Sequence, residues 1–203
     1  MTKIKICGIT RDEDAFLCRD LGADFLGMIF VESSPRYVSP ERAAAVVSAM
    51  EGPRPKVVGV FRDQSADYIL SVAAEVGLDV IQLHGHETDQ DIRALDMPCI
   101  KAFRVGDVLP DASPHGAADW LLFDTLDDRR AGGTGRRFDW SLLAGYPRNK
   151  PFFLAGGLTP DNVAGAISAV RPDGIDVSSG VESAPGIKDR EKLNNLFERI
   201  RRT

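Results

Sequence analysis

The stretch KIKICGIT, residues 3–10, contains the repeating unit from which the fold is predicted. Its isoleucines alternate with lysines in a short strand-like run that ends at Cys7 and a glycine. Thr10 and Glu13 then have the spacing of a capping box, which predicts a helix over about 11–21. A strand followed directly by a helix is the unit of parallel α/β folds, so repetition of this pattern indicates a parallel sheet.

Seven further apolar runs follow the first, and several of them are rich in Val, Ile and Phe. Many positions in these runs show no alternation with polar residues, which is typical of strands buried on both faces of a parallel sheet. The eight runs are IKIC (4–7), FLGMIF (25–30), VVGVF (57–61), VIQLH (80–84), CIKAFRV (99–105), WLLFD (120–124), FFLAG (152–156) and GIDVS (174–178).

Helix signals lie between the runs. An N-cap residue followed by proline predicts helix starts at Ser39-Pro40 and Thr159-Pro160. Glycines predict that two earlier helices end at positions 22 and 77, and a last helix is predicted over about 189–201. The segment 106–119 contains prolines and a glycine, so helix five is expected to be short or irregular.

Eight strands alternating with about seven or eight helices predict a (β/α)8 TIM barrel, formed by residues 1–203 as a single catalytic domain. A doubly wound open sheet has the same local pattern and is the structural alternative. The count of eight strands favours the barrel.

The composition excludes several classes of partner. A net charge of -5 and a pI near 5.3 argue against nucleic acid or an anionic membrane as the main partner. No apolar run has the length of a membrane span, and the first residues do not resemble a signal peptide, so a cytoplasmic location is expected. The sequence has three cysteines, Cys7, Cys18 and Cys99. Their odd number and the lack of metal-ligand spacing indicate reduced thiols in a reducing compartment.

In a barrel of this type the chemistry lies at the carboxyl ends of the strands. Cys7 ends the first strand and Asp124 ends the sixth, on the opposite side of the ring. A thiol and a carboxyl that face each other across a pocket are a plausible base and acid. The structural alternatives are a small core residue for Cys7 and a turn or cap residue for Asp124.

Glycine-rich segments follow strands seven and eight, AGGLTPDN (155–162) and DVSSGVE (176–182). Glycines let backbone N–H groups approach an anion, and barrels often bind phosphate in these two loops. Each segment is otherwise a tight strand-to-helix turn. Two such loops in adjacent positions favour a phosphate site.

Other loop residues have open interpretations. Arg36, in SPRY after strand two, is either a clamp for a substrate carboxylate or a solvated loop residue. His84 is expected to pack or hydrogen-bond near the pocket floor, and with His86 and His115 it lacks the further ligands that a metal site needs. The GGTG segment (132–135) is either a mobile lid or an ordinary surface loop.

These motifs, in this order, resemble the phosphoribosylanthranilate isomerase family of tryptophan biosynthesis. The resemblance runs from residue 3 to about 190, on KICGIT, SPRYVSPE, VGVF, LDVIQLHG, GGTGRRFDW, LAGGLTPDNV and GIDVSSGVESAPGIKD. It implies a (β/α)8 barrel, a phosphorylated small-molecule substrate, an Amadori rearrangement, no cofactor or metal, and a monomer or homodimer.

The resemblance also implies residue roles. Cys7 is expected to be the general base, Asp124 the general acid and Arg36 the contact for the anthranilate carboxylate. The phosphate site is expected to comprise Gly156, Gly157, Ser179 and Gly180.

Strand alternation gives one further expectation. Lys5 is expected to point away from Cys7 if the strand alternates, so the sequence does not show a group that would stabilise the thiolate.

Four rival functions are considered. A bifunctional isomerase that also serves histidine synthesis should have an aspartate where Cys7 stands. Indoleglycerol-phosphate synthase should have a lysine acid inside the barrel, for which Lys101 is the candidate. A ribulose-phosphate epimerase should have metal-binding His and Asp residues at strand ends. A non-catalytic sugar-phosphate binding protein would keep the glycine loops without needing Cys7 and Asp124 together.

Overall fold

The computed structural model describes residues 2–113, 115–125 and 139–203. Within them eight parallel strands form a closed barrel, in which each strand pairs with the next and β8 pairs with β1. The predicted (β/α)8 barrel is confirmed, and the open sheet is excluded. The strands are β1 (Lys3–Cys7), β2 (Phe25–Ile29), β3 (Lys56–Phe61), β4 (Val80–Leu83), β5 (Cys99–Val105), β6 (Trp120–Thr125), β7 (Phe152–Leu154) and β8 (Gly174–Val177).

Helices form the outer layer. The described ranges contain six α-helices, fewer than the seven or eight expected, and none of them is both long and apolar enough to cross a bilayer. The helices are α1 (Asp12–Leu21), α2 (Pro40–Ser48), α3 (Ala66–Val76), α4 (Asp89–Leu95), α5 (Val163–Val170) and α6 (Arg190–Arg201), with 3₁₀ helices at Trp140–Gly145 and Ser179–Val181.

Three connections depart from the regular β/α alternation in the described residues. Between β6 and β7 these residues form only the 3₁₀ helix Trp140–Gly145. The described residues between β5 and β6 form bends and turns without a helix, in agreement with the prediction for 106–119. After β8 the chain forms a small antiparallel hairpin of β9 (Glu182–Ala184) and β10 (Ile187–Lys188) before α6 begins. The hairpin belongs to the loop region above the barrel and contributes to the site described below.

Several helix boundaries follow the predicted signals. Pro40 begins α2, and the Ser39 hydroxyl accepts a hydrogen bond from the Arg42 N–H, as an N-cap should. Gly22 and Gly77 end α1 and α3 with φ of 90° and 73°, a left-handed conformation that glycine adopts without a steric penalty.

Two predicted helix starts are wrong. The N-cap of α1 is Arg11, without a side-chain cap, because the Thr10 hydroxyl instead donates to the Gly186 carbonyl in the β9–β10 hairpin at 2.7 Å. Helix α5 begins at Val163 rather than at the proline after Thr159, whose N–H donates to the Asn162 side chain in a preceding turn. In both places a contact to another residue replaces the expected cap.

An apolar cluster lies inside the barrel toward the amino ends of the strands. Its aromatic rings Phe25, Trp120 and Phe153 contact each other with centroids 4.8 to 6.4 Å apart. Gly174 leaves the space that the Phe153 ring occupies, since a side chain there would overlap it. This interior plug consists of Phe25, Val58, Val80, Ile100, Ala102, Leu122, Phe153 and Ala155, with Trp120 packed against it.

We expect Phe153→Ala to lower the free energy of unfolding by about 3–5 kcal/mol, because it leaves a cavity where a fully buried ring contacts two others. Urea denaturation followed by circular dichroism measures the change. The control is Val108→Ala at a position that is 74% exposed, which should change stability by less than about 0.5 kcal/mol. Equal effects of the two substitutions would contradict the assignment of the plug.

Candidate active site

Strand β1 carries two polar side chains into the barrel. Lys5 and Cys7 are two residues apart, and residues at that spacing on a strand face the same side. Lys5 is fully buried, and its ammonium lies 3.0 Å from Asp176 Oδ1 on the neighbouring strand β8. The expectation that Lys5 points away from Cys7 is therefore wrong, because alternation separates adjacent residues and not residues two apart.

Gly27 on β2 provides the space that these side chains occupy. A Cβ at this position would lie 2.8 Å from Cys7 Sγ and 3.0 Å from Lys5 Nζ. The thiol and the ammonium thus both pack against the backbone of one glycine. Sequence reasoning missed Gly27, whose only signal was a glycine inside an otherwise bulky strand run.

The charges around Cys7 act in opposite directions. Burial raises the pKa of the thiol, the Lys5 ammonium opposes this rise, and the Asp176 carboxylate adds to it. Burial by itself would lower the pKa of Lys5, but Asp176 and Cys7 outweigh it, so the pKa of Lys5 is raised. Lys5 therefore stays an ammonium beside a thiol that is 6% exposed.

Asp124 lies near the end of β6. Burial, together with the Asp176 carboxylate, raises the pKa of Asp124 to about 6, although the Thr125 N–H, Arg104 and Lys5 oppose the rise. The Thr125 N–H donates to Asp124 Oδ1 at 2.8 Å. One third of the Asp124 side chain remains accessible, at 34%, so a ligand can reach this carboxyl.

His84 directly follows β4 and approaches Asp124, with Nε2 and Oδ2 3.7 Å apart. Burial, reinforced by the Arg104 and Lys5 cations, lowers the pKa of His84 to about 4. The imidazole is therefore neutral at neutral pH, and its contact with Asp124 is not an ion pair. Its Nδ1 lies 3.5 Å from Gln82 Nε2, and its role at the pocket floor stays a prediction.

Asp176 and Lys5 influence the titration of both Cys7 and Asp124. Cys7 lies on the same face of β1 as Lys5, which pairs with Asp176, so the thiol, the ammonium and both carboxylates border the same polar interior. This interior lies above the apolar plug, since Asp124 and Arg104 follow the plug residues Leu122 and Ala102 along their strands. The arrangement places a weak acid and a nucleophilic sulfur around one space.

Arg36 is buried, at 8% exposure, in an ion pair with Glu182 of β9. Arg36 Nε and Nη2 donate to the carboxylate at 3.0 and 2.7 Å. Glu182 also accepts from Lys188 Nζ at 2.8 Å, and the same ammonium donates to the Cys7 carbonyl at 2.5 Å. Arg36 is thus a fixed residue connected to the end of β1 and not a solvated loop residue.

Glu182 and Lys188 were not singled out as site residues. Burial raises the pKa of Glu182, but the hydrogen bond from Arg36 and the charge of Lys188 outweigh it, so the pKa is lowered. Glu182 therefore stays ionised between two cations. Its sequence signal was only a position inside DVSSGVE, because its partners lie 146 and 6 residues away in the chain.

The glycine segments after β7 and β8 meet above the barrel. Gly156 and Gly157 have φ of 85° and 69°, and Gly156 packs against Thr125 at the end of β6. A side chain on Gly180 would overlap the Leu158 carbonyl, so the two loops are in direct contact. This brings three of the four predicted phosphate residues together.

Ser178 and Ser179 complete this region. Ser179 begins the short 3₁₀ helix after β8. Within the described part of the chain, the buried Ser178 hydroxyl has no hydrogen-bond partner, and it lies 3.2 Å from the position of a Cβ on Gly8. The region therefore has backbone and hydroxyl groups that can meet a polar ligand.

Other candidate residues lie elsewhere. His86 is exposed and contacts Asp63, and His115 packs edge-on against Phe103. No group of three or more His, Cys, Asp or Glu side chains with a metal-binding arrangement occurs in the ranges 2–113, 115–125 and 139–203. The GGTG segment (132–135) lies outside the described residues.

The fold and the site define a (β/α)8-barrel protein with an acid, a thiol and glycine loops at the carboxyl ends of its strands. Residues 4–199 match the family model described as N-(5'-phosphoribosyl)anthranilate (PRA) isomerase. The chain belongs to this family, as the sequence motifs predicted.

Relatives match along nearly the whole chain. An N-(5'-phosphoribosyl)anthranilate isomerase of Geotalea uraniireducens is 44% identical, with 99% of each sequence covered. The structure of phosphoribosyl anthranilate isomerase from Thermus thermophilus aligns with a TM-score of 0.88 at 40% identity, covering 99% of each chain. A relative in complex with reduced 1-(o-carboxyphenylamino)-1-deoxyribulose 5-phosphate aligns at 0.85 with 36% identity over both full chains.

We expect Glu182→Gln to destabilise the protein by about 3–5 kcal/mol, because it leaves Arg36 and Lys188 as buried cations without their shared carboxylate. Equilibrium urea unfolding measures this loss. Glu198→Gln is the matched control, since its ion pair with Arg202 is exposed and should contribute at most about 1 kcal/mol. A Glu182 variant as stable as the control would show that the buried pairs are not structural.

Proposed function

We propose that this protein converts N-(5-phosphoribosyl)anthranilate into 1-(2-carboxyphenylamino)-1-deoxyribulose 5-phosphate, the Amadori rearrangement of tryptophan biosynthesis, by general acid and base catalysis. The observation that carries the proposal is a partly accessible carboxyl with a raised pKa on β6 and a thiol on β1 that share one polar interior, in a member of this family. The bound ligand of the solved relative is a reduced form of this product, which supports the substrate class.

Asp124 acts first, as the general acid. Its pKa of about 6 leaves part of the carboxyl protonated near neutral pH, so it can give its proton to the furanose ring oxygen. The bond between that oxygen and C1 then breaks, and the nitrogen lone pair forms a protonated imine. The neutral His84 next to Asp124 adds a hydrogen-bonding group on the same side.

Cys7 acts second, as the general base. The protonated imine acidifies the hydrogen on C2, and the thiolate removes it to give an enolamine and a neutral thiol. The enolamine becomes the aminoketone when C1 takes up a proton and the C2 hydroxyl loses one. The sequence of steps moves protons only, and the overall reaction is an isomerisation.

The glycine loops and Arg36 hold the ends of the substrate. Gly156, Gly157, Ser179 and Gly180 present backbone and hydroxyl donors suited to a phosphate group. Within the described residues, the side-chain hydrogen bonds of Arg36 use Nε and Nη2, so its Nη1 donors are available for the anthranilate carboxylate.

We further infer that residues 1–203 act as one catalytic domain in the cytoplasm, as a monomer or a homodimer. The family match over 4–199 supports the single domain. The three cysteines are all free and buried, which is compatible with a reducing compartment.

We expect Cys7→Ser to lower kcat by about 10²–10⁴-fold with the fold retained, since a serine hydroxyl is a far weaker base. The loss of anthranilate-type fluorescence on mixing with freshly prepared substrate measures turnover, and simple saturation would mean binding alone. Cys18→Ala, at a buried position on α1, is the control and should retain kcat. Near-normal turnover of the Cys7 variant would remove this residue from its role.

We expect kcat/KM to rise about tenfold per pH unit up to about pH 6 and then level off. Below the Asp124 pKa only the thiolate fraction changes, and above it loss of the protonated acid offsets the gain in thiolate. Activity falls again above the raised pKa of the thiol. In Asp124→Asn the residual activity should keep rising through pH 6, and a persistent break at pH 6 would exclude Asp124 as its origin.

A further inference from the structure

The general acid and base leave two interior side chains without an assigned role. Lys5 has no exposed surface, and its ammonium has a close ion pair with Asp176 at 3.0 Å. A buried ion pair is weak evidence for stability, because desolvation of both charges offsets their attraction. Because stability does not account for this ion pair next to the thiol, we looked for a role in the reaction.

The geometry brings the ammonium to the sulfur. The same Cβ position on Gly27 lies 2.8 Å from Cys7 Sγ and 3.0 Å from Lys5 Nζ, so both atoms pack against one point of the β2 backbone. Asp176 is the register partner of Lys5 on β8 and holds the ammonium from the other side. The lysine is thus fixed between a carboxylate and the thiol.

Two cations, Lys5 and Lys188, lower the pKa of the Cys7 thiol, and Lys5 has the larger effect. Lys188 donates to the Cys7 backbone carbonyl and to Glu182, and Gly27 on β2 packs beside the thiol. The charged side chains that act on the thiol itself are Lys5 from β1, Asp176 from β8 and Lys188 from β10. Around the same interior, His84 after β4 and Asp124 from β6 also experience the charges of Arg104 and, for His84, Lys101 from β5.

We propose that Lys5 is a positioning residue, anchored by Asp176, whose ammonium lies against the Cys7 sulfur and so stabilises the thiolate that accepts the C2 proton. The inference rests on the function proposed above. Cys7 first gives its proton to solvent, and the thiolate then takes the proton from C2. Lys5 keeps its three protons throughout, so it acts through Cys7 and does not contact the reacting bond.

The two members of the pair have opposite effects on the thiol. Lys5 favours the thiolate, and Asp176 both disfavours it by charge and shares the ammonium. Removing Lys5 should make the thiol a weaker acid. Removing the Asp176 charge should make the thiol a stronger acid, because the thiolate is then the nearest anion to the ammonium. A purely structural role would impair both variants without moving the thiol titration in opposite directions.

The test titrates Cys7 through its rate of alkylation by iodoacetamide as a function of pH, with the site of modification read by mass spectrometry. Burial raises the pKa of both Cys18 and Cys99 to about 12, so these thiols give a low background, and Cys7→Ser supplies the blank. The midpoint of the pH curve is compared, because a change in access alters the rate at every pH but not the midpoint.

In Lys5→Met the midpoint should rise by at least about one pH unit, a tenfold loss of thiolate at a given pH. In Asp176→Asn it should fall, and in the double variant, which has no net change of charge, it should lie above the wild-type value. Lys3→Met is the matched control, since Lys3 is exposed on the same strand and pairs with Asp24; its midpoint should not move.

An unchanged midpoint in Lys5→Met, or shifts in the same direction for both single variants, would overturn the proposal. If Lys5→Met does not fold, Asp176→Asn and the double variant decide, because their midpoints should move apart. The titration needs no substrate, so it is independent of turnover: a wild-type protein without isomerase activity would refute the proposed function even if the midpoints shifted as expected.

Discussion

The hydrogen-bonded ladder between β1 and β8 is the constraint on which the rest of the structure depends. It closes the barrel, and its register sets Lys5 opposite Asp176. A slip of one residue would turn every side chain of β1 to the other face, taking Cys7 and Lys5 out of the interior and placing isoleucines there. The same strand register therefore determines both the closure of the barrel and the residues that line the site.

The barrel interior has two zones with different requirements. The plug of aromatic and aliphatic side chains supplies burial without any polar group that needs a partner. The zone above it contains ionisable groups in a space that is largely removed from water, so each charge there depends on its neighbours. Burial disfavours the charged form of each group, so it raises the pKa of the Asp124 carboxyl and lowers that of the His84 imidazole, although the two lie 3.7 Å apart.

The sequence was sufficient for the strands, because their apolar runs are continuous and a parallel sheet requires burial on both faces. Local signals also located the start of α2 at Pro40, where the cap and the first helical residue adjoin. They failed at Thr10, whose hydroxyl bonds to Gly186, a residue 176 positions away. A local motif cannot reveal a competing partner that only the closed barrel brings near.

The prediction of the candidate site has the same limit, because local signals could be found and contacts between distant residues could not. Cys7 and Asp124 were identified because each ends a strand, a property that can be read along the chain. Glu182 and Gly27 were not, because their roles consist of what they contact across the barrel. Lys5 was placed on the wrong face through an incorrect use of the two-residue period, although the sequence contained the information needed to place it correctly.

The pairing of Arg36 with Glu182 has a consequence for synthesis of the chain. The arginine leaves the ribosome long before its carboxylate partner, which lies 146 residues later, and β1 has no closing neighbour until β8 is made. Contacts of such sequence separation form late, because the loop between them must first be ordered. A nascent or truncated chain that stops before β8 therefore exposes an unfinished barrel edge, and this interval is when the protein most needs protection from aggregation.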